Sequence, residues 1–476
     1  MSGLFGELQR TAQALNAQSA GVFTTGRNMA NVNNPAYARQ RVVLGDRGTV
    51  QGPLGPQSLG VEALGVQAVR DRLLDSQVVR ETSIMSSLGA ESDAYTKAQI
   101  ALGQSIDSTN SASFVDGATN TGASHGIGEA LDNLLNEFSS LASDPRSTAE
   151  RQTLIQQAQT LVDRFHTIDG RLVAIQGDID TQINVDVTTV NNLLQSVSEL
   201  NQQIGRFEIG KPGTALDLRD ARQAKLEELA QYINFDVQEV STSPGQIQLL
   251  SKDASDAPVM LLDKGDSPAT VSFNGTSFTA GNPPTVLALT GGSLNGNLVA
   301  RDGTVQNVRD GLNALASQLV TAVNGAYNPA GASTNFFNAG GVTASTIALD
   351  GTLNTTTVRA SNSGNPGDND IALAVANLAT TKFSTAGGDA INGTLGSYYR
   401  SVVSDVANAT ASATARYDDQ TTLQRLMKER RDSVSGVSLD EEMTDLVKYQ
   451  RAFEASAKMM RVLEDMMDVV VNGLVR

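Results

Sequence analysis

The chain has 476 residues, more than one hydrophobic core usually supports, so its length predicts two to four domains. Apolar residues make up 40% of the chain and charged residues 18%, a balance that permits packed cores and argues against global disorder. The formal net charge of −16 disfavours nucleic acid and anionic lipid as partners, and the absence of cysteine excludes disulfides, thiolate zinc sites and cysteine nucleophiles.

The first segment of the chain is predicted to be a helix rather than a secretory signal. Its start lacks a basic n-region and a continuous apolar h-region, and no stretch of the chain approaches the roughly 18–20 apolar residues of a spanning helix. These facts by themselves predict a cytoplasmic protein unless a dedicated export route exists. Apolar and small residues recur at steps of four and three, the period of an amphipathic helix. They are Leu4, Leu8, Ala12, Leu15, Ser19, Val22, Gly26 and Met29.

Two further regions, at about 61–105 and about 127–233, also carry helical periodicity. The second region is interrupted at Pro145, because proline cannot continue a helix. Ser147 and Glu150 then have the spacing of a capping box, which predicts the start of a new helix.

The composition changes after these helices. Gly, Pro, Ser and Thr become frequent over 236–297, where the runs 246–250 and 285–289 predict short strands between turns. Helical periodicity resumes over 305–323, and a second stretch rich in Gly, Asn and Thr follows at about 330–396. The middle of the chain is therefore predicted to carry β-rich insertions.

From Tyr398 the helical pattern returns, and the last segment has the pattern of a coiled coil. Ser438 lies three residues before Glu441, again the spacing of a capping box. A helix from Leu439 to Leu474 would be about 54 Å long at 1.5 Å per residue. Its seam alternates between steps of three and four and is apolar at every position but one. The seam residues are Leu446, Tyr449, Phe453, Ser456, Met460, Leu463, Met467, Val470 and Leu474.

These elements predict a multi-domain α+β protein with terminal coiled-coil-like helices, a helical bundle domain and inserted β-rich parts. The predicted domains are nested in sequence: the terminal helices enclose the bundle segments, and these enclose the β-rich insertions. Such an arrangement would place the two chain ends together at one pole of the subunit. The predicted domains are a terminal helical domain of residues 1–35 with 438–476, a helical bundle of 36–235 with 297–330 and 397–437, and one or more β-rich outer domains of 236–296 with 331–396.

The end of the first helix carries a recognisable motif. It reads Thr-Thr-Gly-Arg-Asn-Met-Ala-Asn-Val-Asn-Asn-Pro-Ala-Tyr-Ala-Arg-Gln and resembles the N-terminal signature of the flagellar axial proteins. In that family a helix ends in Asn-x-Ala-Asn before a turn with Pro-Gly-Tyr, so the matching residues are Asn28, Asn31, Pro35 and Tyr37. Asn tolerates the conformations that end a helix, and proline forbids its continuation.

One position departs from this signature. Ala36 stands where the family has Gly, and because Ala resists a positive φ, a type I turn is predicted rather than type II.

Two other segments are similar to the same family. Residues 435–442 read Ser-Gly-Val-Ser-Leu-Asp-Glu-Glu, and 449–458 read Tyr-Gln-Arg-Ala-Phe-Glu-Ala-Ser-Ala-Lys, as in its C-terminal signature. The Ser-Gly-Val-x-Leu-Asp-Glu-Glu opening favours the hook–filament junction branch over rod and hook proteins. Residues 291–296, Gly-Gly-Ser-Leu-Asn-Gly, begin a third match to an internal helical segment. The matches fall at both ends and in the middle, in order.

The resemblance implies a structural subunit of the bacterial flagellum with no enzymatic activity, no cofactor and no metal. It implies self-assembly into a ring or helical layer between the hook protein and the third hook-associated protein. It also implies a cytoplasmic export chaperone that binds near the C-terminus, and export through the flagellar type III apparatus without a cleaved signal peptide. No nucleic-acid or membrane partner is expected.

The apolar seams of the first and last helices are then the expected subunit interface. A lone amphipathic helix is marginal in water, and a long exposed seam is unusual on a monomer. We therefore expect both ends to be frayed in the free subunit and to order as paired helices when neighbours bury them. The alternative is that the same residues pack within the subunit's own core. The residues concerned are Leu4, Leu8, Leu15, Val22 and Met29 in the first helix and Leu446, Tyr449, Phe453, Met460, Leu463, Met467, Val470 and Leu474 in the last.

The sequence offers little for catalysis. His125 and His166 are too few and too isolated for a His-based metal site or triad, and no His-Glu-x-x-His, Walker or dinucleotide loop is present. Asp368-Asn369-Asp370 matches only part of a calcium loop. The competing interpretations are another axial subunit (hook, rod or third hook-associated protein), a secreted adhesin, and, more remotely, a cell-wall hydrolase.

Overall fold

The structure is a computed structural model that describes residues 2–52, 55–102, 126–329, 331, 334–363, 365 and 367–473. The helices of these residues are α1 (Ser2–Ala30), α2 (Arg72–Ala101), α3 (Ile127–Ser143), α4 (Thr148–Phe207), α5 (Leu216–Ala230), α6 (Gly292–Ala300), α7 (Gln306–Tyr327), α8 (Asp370–Ala376), α9 (Leu395–Ser435) and α10 (Leu439–Gly473). The strands are β1 (Gln40–Asp46), β2 (Thr49–Gly52), β3 (Gly55–Ser58), β4 (Val61–Ala68), β5 (Asp236–Glu239), β6 (Ile247–Lys252), β7 (Pro258–Asp263), β8 (Ser272–Phe273), β9 (Phe278–Ala280) and β10 (Thr285–Leu287).

The predicted α+β class is confirmed, and the long helices are present with some shifted ends. The helix expected from about residue 61 begins later, at Arg72, because Asp71 caps it. The Asp71 carboxylate accepts hydrogen bonds from the backbone N–H groups of Leu73 and Leu74 at 2.9 and 3.3 Å. The residues before Asp71 form β4 instead.

The region predicted as helix at 127–233 contains α3, α4 and α5. The break at Pro145 is confirmed, and the Ser147 hydroxyl accepts the Glu150 N–H at 3.2 Å at the start of α4. A second break between α4 and α5 was not predicted. There Gly210 and Gly213 adopt φ of +77° and +81°, conformations that glycine reaches without strain.

The predicted strands at 246–250 and 285–289 are confirmed by β6 and β10. The order β5-β6-β7 forms one antiparallel sheet, and β10-β9-β8 forms another. Two small antiparallel pairs, β1 with β4 and β2 with β3, were missed. Their residues lack a clean alternation of buried and exposed positions, so no period-2 signal marks them.

The stretch 331–396, predicted to be β-rich, is built differently. Its described residues hold α8, two short 3-10 turns and two isolated bridges in place of strands. Polar side chains close its turns: the Asn354 carboxamide oxygen accepts the N–H groups of Thr356 and Thr357 at 2.9 and 3.1 Å. A composition rich in Gly, Asn and Thr here encodes turns, which these residues favour more strongly than strands.

The chain divides into two compact units, each made of separate segments. The β segments do not stand apart, because α4 binds them through buried side chains. Asn201, for example, donates to the carbonyl oxygens of Ile247 and Lys264 at 3.0 and 2.6 Å. The terminal unit comprises Met1–Met85, Val187–Gly292 and Gln420–Arg476, and the bundle unit comprises Ser86–Asp186 and Ser293–Asp419.

The bundle unit has an apolar core formed by α3, the first part of α4, α7, α8 and the start of α9. Aromatic rings meet in it: the ring centroids of Phe138 and Phe336 are 5.0 Å apart, and those of Tyr327 and Phe336 are 5.5 Å apart. All three side chains are fully buried. This unit therefore completes its own core.

Candidate assembly interface

The two terminal helices lie side by side as an antiparallel pair, here called the terminal helix pair (α1 and α10). Asn28, near the end of α1, donates from Nδ2 to Oε2 of Glu442 in the first turn of α10, at 2.9 Å. Seven residues back along α1, Gly21 lies against Tyr449, seven residues further along α10. A Cβ on Gly21 would lie 2.5 Å from the Tyr449 ring, so this contact requires glycine.

The predicted seams of the two helices meet within one chain, because α10 packs on α1. The seam residues are covered in part, and none of those described is fully buried. Phe453 and Val470 keep 40% and 37% of their side-chain surface exposed. Leu474 lies outside the described residues. The half-buried members are Leu4, Leu8, Leu15, Val22 and Met29 of α1 and Leu446, Tyr449, Met460, Leu463 and Met467 of α10.

A second apolar surface on α10 has no cover within the described chain. We call Met459, Val462, Met466 and Val469 the outer stripe; their exposure runs from 49% to 71%. Each precedes a seam residue by one position, which places the outer stripe about 100° around the helix from the seam. Soluble monomers seldom expose a contiguous apolar row of this kind.

Asn28 of the predicted signature is the centre of a buried network, the Asn28 node (Asn28, Tyr37, Arg39, Gln40 and Glu442). The Asn28 Oδ1 atom accepts the Gln40 N–H at 2.9 Å and the Tyr37 hydroxyl at 2.9 Å. Its Nδ2 donates to the Gln40 carbonyl at 2.8 Å and to Glu442. All four hydrogen-bonding positions of the carboxamide are used, which explains why this position carries Asn.

Arg39 ties the node to the start of α10. Its Nε donates to Glu442 and its Nη1 to Glu441, both at 2.6 Å. Burial alone would lower the pKa of Arg39, but the two carboxylates beside it raise that pKa above its ordinary value. Glu442 is 1% exposed, so its charge is balanced inside the protein by Arg39.

The remaining signature residues form the turn that brings Arg39 into place. Asn31 donates from its side chain to the Arg27 carbonyl at 2.9 Å and thereby covers the last turn of α1. The Tyr37 N–H bonds the Asn34 carbonyl at 3.1 Å, and Ala36 keeps a negative φ, as the predicted type I turn requires. Burial raises the pKa of Tyr37 to about 12, so its hydroxyl stays protonated and donates to Asn28.

A second polar cluster, the Arg70 cluster (Arg70, Asp75 and Asp220), supports the same turn. The Arg70 guanidinium donates to Asp75 at 3.0 Å, to Asp220 at 2.8 Å and to the Ala36 carbonyl at 2.8 Å. Burial raises the pKa of Asp220 to about 6 even though Arg70 opposes that shift. Burial likewise raises the pKa of Asp75.

Sequence reasoning found Asn28, Asn31, Pro35 and Tyr37 but not the partners of the node. It assigned Glu441 only to a capping box with Ser438 at the start of α10. In the structure, the buried Glu442 carboxylate accepts hydrogen bonds within the Asn28 node, and Glu441 forms an ion pair with Arg39. Two sequence features could have predicted this contact. One is the arginine two residues after the signature tyrosine, and the other is the pair of adjacent glutamates in the C-terminal signature.

Residues considered for other chemistry have structural partners. A ring nitrogen of His166 lies 2.9 Å from the Ile347 carbonyl oxygen. Asn369 donates to the Ala142 carbonyl at 2.6 Å, and Asp370 accepts the Asn362 N–H at 3.0 Å. Within the described ranges no cluster of three or more His, Asp or Glu residues is placed to hold a metal, and no helix is long and apolar enough to cross a membrane. His125 lies outside those ranges.

Comparison with known families agrees with the terminal signatures. Residues 112–337 match the family model of the flagellar hook-associated protein FlgK helical domain, and residues 431–473 match the model of the flagellar basal body rod FlgEFG protein C-terminal region. The second match covers the last turn of α9 and all of α10, and so includes one helix of the terminal helix pair.

Relatives align along the whole chain. Flagellar hook-associated protein 1 of Bacillus subtilis is 23% identical over 522 residues, covering 100% of this chain and 99% of that protein. The Salmonella typhimurium protein of the same name is 23% identical over 568 residues, covering 98% and 99%. Because that alignment is longer than the 476 residues of this chain, the relative contains segments without a counterpart here.

A solved structure shares the fold. The flagellar hook junction protein FlgK from Burkholderia pseudomallei superposes with a TM-score of 0.62 at 13% identity, covering 76% of this chain and 100% of that one.

The antiparallel pair of terminal helices, held together by a signature from each end of the chain, supports a subunit of the flagellar axial class. The two family models and the full-length relatives narrow this to a protein similar to flagellar hook-associated protein 1, the protein of the hook–filament junction.

Proposed function

We propose that this chain is a structural subunit of the junction between the flagellar hook and filament and that it assembles through its terminal helix pair. The observation that carries the proposal is the outer stripe, which leaves α10 with a second apolar face after α1 has taken the first. A helix with one face on its own chain and another face open is suited to contact a neighbouring copy.

The energetics favour assembly by these helices. Burial of apolar surface contributes about 25 cal/mol per Å², and the outer stripe and the half-covered seam supply such surface. The opposing terms are the ordering of side chains and the loss of translational and rotational freedom. The Asn28 node reduces the ordering cost, because it joins the start of α10 to the end of α1 within one chain.

The similarity to flagellar hook-associated protein 1 supports the further partners. We propose contacts with the hook protein on one side and the third hook-associated protein on the other, an export chaperone that binds near the C-terminus, and export by the flagellar type III apparatus without a cleaved signal. The role is structural, and we propose no catalytic activity, cofactor or metal for it.

We further propose that the terminal helix pair is marginal in the free subunit. Its two helices bury only part of their seams on one another, and a two-helix pair gains little protection from water. Circular dichroism of the full-length chain and of a chain trimmed to residues 36–437 tests this. If trimming removes the full helical signal of two rigid helices from the free subunit, the expectation is wrong.

The assembly proposal is tested by one substitution on the outer stripe. In a strain that lacks the native gene, Val462→Asp should leave hooks without filaments and release flagellin into the medium. The reason is that a carboxylate on this face cannot be buried against a neighbour.

The matched control is Val173→Asp, which introduces the same charge at an exposed valine of α4 in the bundle unit. Cells with this variant should carry normal filaments under the electron microscope. Normal filaments with Val462→Asp would refute the assembly proposal.

A further inference from the structure

Methionine is concentrated in α10. The chain has ten methionines and no cysteine, and five of the ten lie in this single helix of 35 residues. The methionine thioethers are therefore the most readily oxidised groups of this chain, and half of them lie in α10. These five residues are Met443, Met459, Met460, Met466 and Met467.

The methionines of α10 occupy two different environments. Met459 and Met466 belong to the outer stripe and are 56% and 49% exposed. Their neighbours in sequence, Met460 and Met467, are half-buried on the seam toward α1. Each exposed methionine is thus followed directly by a shielded one, and the helix places them about 100° apart.

We propose that the outer stripe is an oxidation site, at which peroxide converts Met459 and Met466 to methionine sulfoxide and so prevents assembly. The thioether sulfur attacks one oxygen of hydrogen peroxide, and the O–O bond breaks as the S–O bond forms. The departing hydroxide takes the proton from the sulfur-bound oxygen, which gives the sulfoxide and water. Sulfur loses two electrons and the peroxide gains them, so no other reactant is required. The effect on assembly rests on the proposed function.

The physical consequence follows from polarity. The sulfoxide carries a strong S–O dipole where the thioether was apolar. A neighbouring copy that covers the outer stripe would have to bury this oxygen without a hydrogen-bond partner, which is unfavourable. The change is reversible, because methionine sulfoxide reductases restore the thioether. Once assembled, the same sulfurs are covered, so the free subunit is the sensitive form.

The first test measures where oxidation occurs. The purified full-length chain is exposed to hydrogen peroxide for increasing times, digested and analysed by mass spectrometry. Met459 and Met466 should be oxidised faster than Met460 and Met467, because α1 shields the seam pair for as long as the terminal helix pair is formed and reaction follows exposure of the sulfur. Equal rates, or faster oxidation of the seam pair, would overturn the site assignment.

The second test measures the effect on assembly. Untreated and oxidised chains are added to hook–basal bodies purified from a strain lacking the native gene, and bound protein is quantified after sedimentation. Oxidation should lower binding about tenfold or more, and treatment with both classes of sulfoxide reductase should restore it. Binding that is unchanged although Met459 and Met466 are fully oxidised would refute the proposal while leaving the proposed function intact.

A double variant isolates the two sulfurs. Leucine has nearly the volume of methionine, so Met459→Leu with Met466→Leu should bind like the untreated native chain both before and after peroxide. The same double change at Met460 and Met467 should remain peroxide-sensitive. If the Met459 and Met466 double variant loses binding on oxidation as the native chain does, other residues carry the effect and the proposal fails. Absence of binding by the untreated native chain would overturn the proposed function together with this inference.

Discussion

The terminal helix pair and the bundle unit are built from similar amphipathic helices, yet they differ in how far they complete a core. In the bundle unit, side chains such as Leu134 and Phe138 are 0% exposed, because helices and the stretch around α8 surround them. In the terminal helix pair, the described seam residues stay half-buried or exposed, because α10 has α1 as its one main neighbour and α1 adds only the small strands β1 and β4. A repeating apolar pattern therefore predicts a helix, but the number of neighbours decides whether that helix is self-sufficient.

The same substitution in the two regions should give different losses of stability. Leu134→Ala in the bundle core removes a fully buried side chain and should lower the free energy of unfolding by about 2–5 kcal/mol. Leu463→Ala on the half-covered seam should cost the free subunit about 1 kcal/mol or less, since water already reaches that side chain. Urea unfolding of the two purified variants measures both values, and equal losses would contradict the comparison.

The Arg70 cluster should make the stability of the terminal unit depend on pH. Folding raises the pKa of Asp220 from 3.8 to about 6, so the folded state holds this proton more tightly than the unfolded state. The resulting stabilisation is complete below about pH 4 and is lost as pH rises through about 6. Relative to Asp220→Asn, the native chain should lose about 2 kcal/mol between pH 4 and pH 7.

Urea unfolding across this pH range measures the difference. Asp217→Asn serves as the control, because its side chain is 70% exposed and its removal tests general charge effects. A difference between the native chain and Asp220→Asn that does not change with pH would show that the Asp220 proton is not linked to folding.

The Asn28 node should couple the two terminal helices. Glu442→Gln removes the buried charge that accepts from Arg39 and should weaken the terminal helix pair by about 1.5–3 kcal/mol. Glu441→Gln, next to it in sequence, should cost about 0.5 kcal/mol, since that side chain is 62% exposed and solvent screens its ion pair.

Thermal melting followed by circular dichroism separates the two variants. The helical signal of the terminal pair should melt at lower temperature in Glu442→Gln, while the bundle transition stays unchanged. Identical melting of the two variants would mean that the node does not hold the pair together.

Several features could be predicted from local sequence because they depend on short-range chemistry. The break at Pro145, the start of α10 after Ser438 and the turn around Ala36 each follow from residues within one helical turn. The β1–β4 pair and the break between α4 and α5 escaped prediction. Glu208 explains the break between α4 and α5, because its buried carboxylate accepts hydrogen bonds from Arg219 and from the Ala215 N–H across the loop. Hydrophobic periodicity does not predict such a contact.

By itself, the sequence determined that the chain begins and ends in amphipathic helices and that a signature turn follows the first of them. These properties depend on spacing and backbone preference, which neighbouring residues settle among themselves. Tertiary structure alone decided that Asn28 meets Glu442, 414 residues away, and that the seams cover each other in part while Met459 and Met466 stay open. Contacts over such separations depend on which surfaces the whole fold brings together, and a linear pattern does not contain that information.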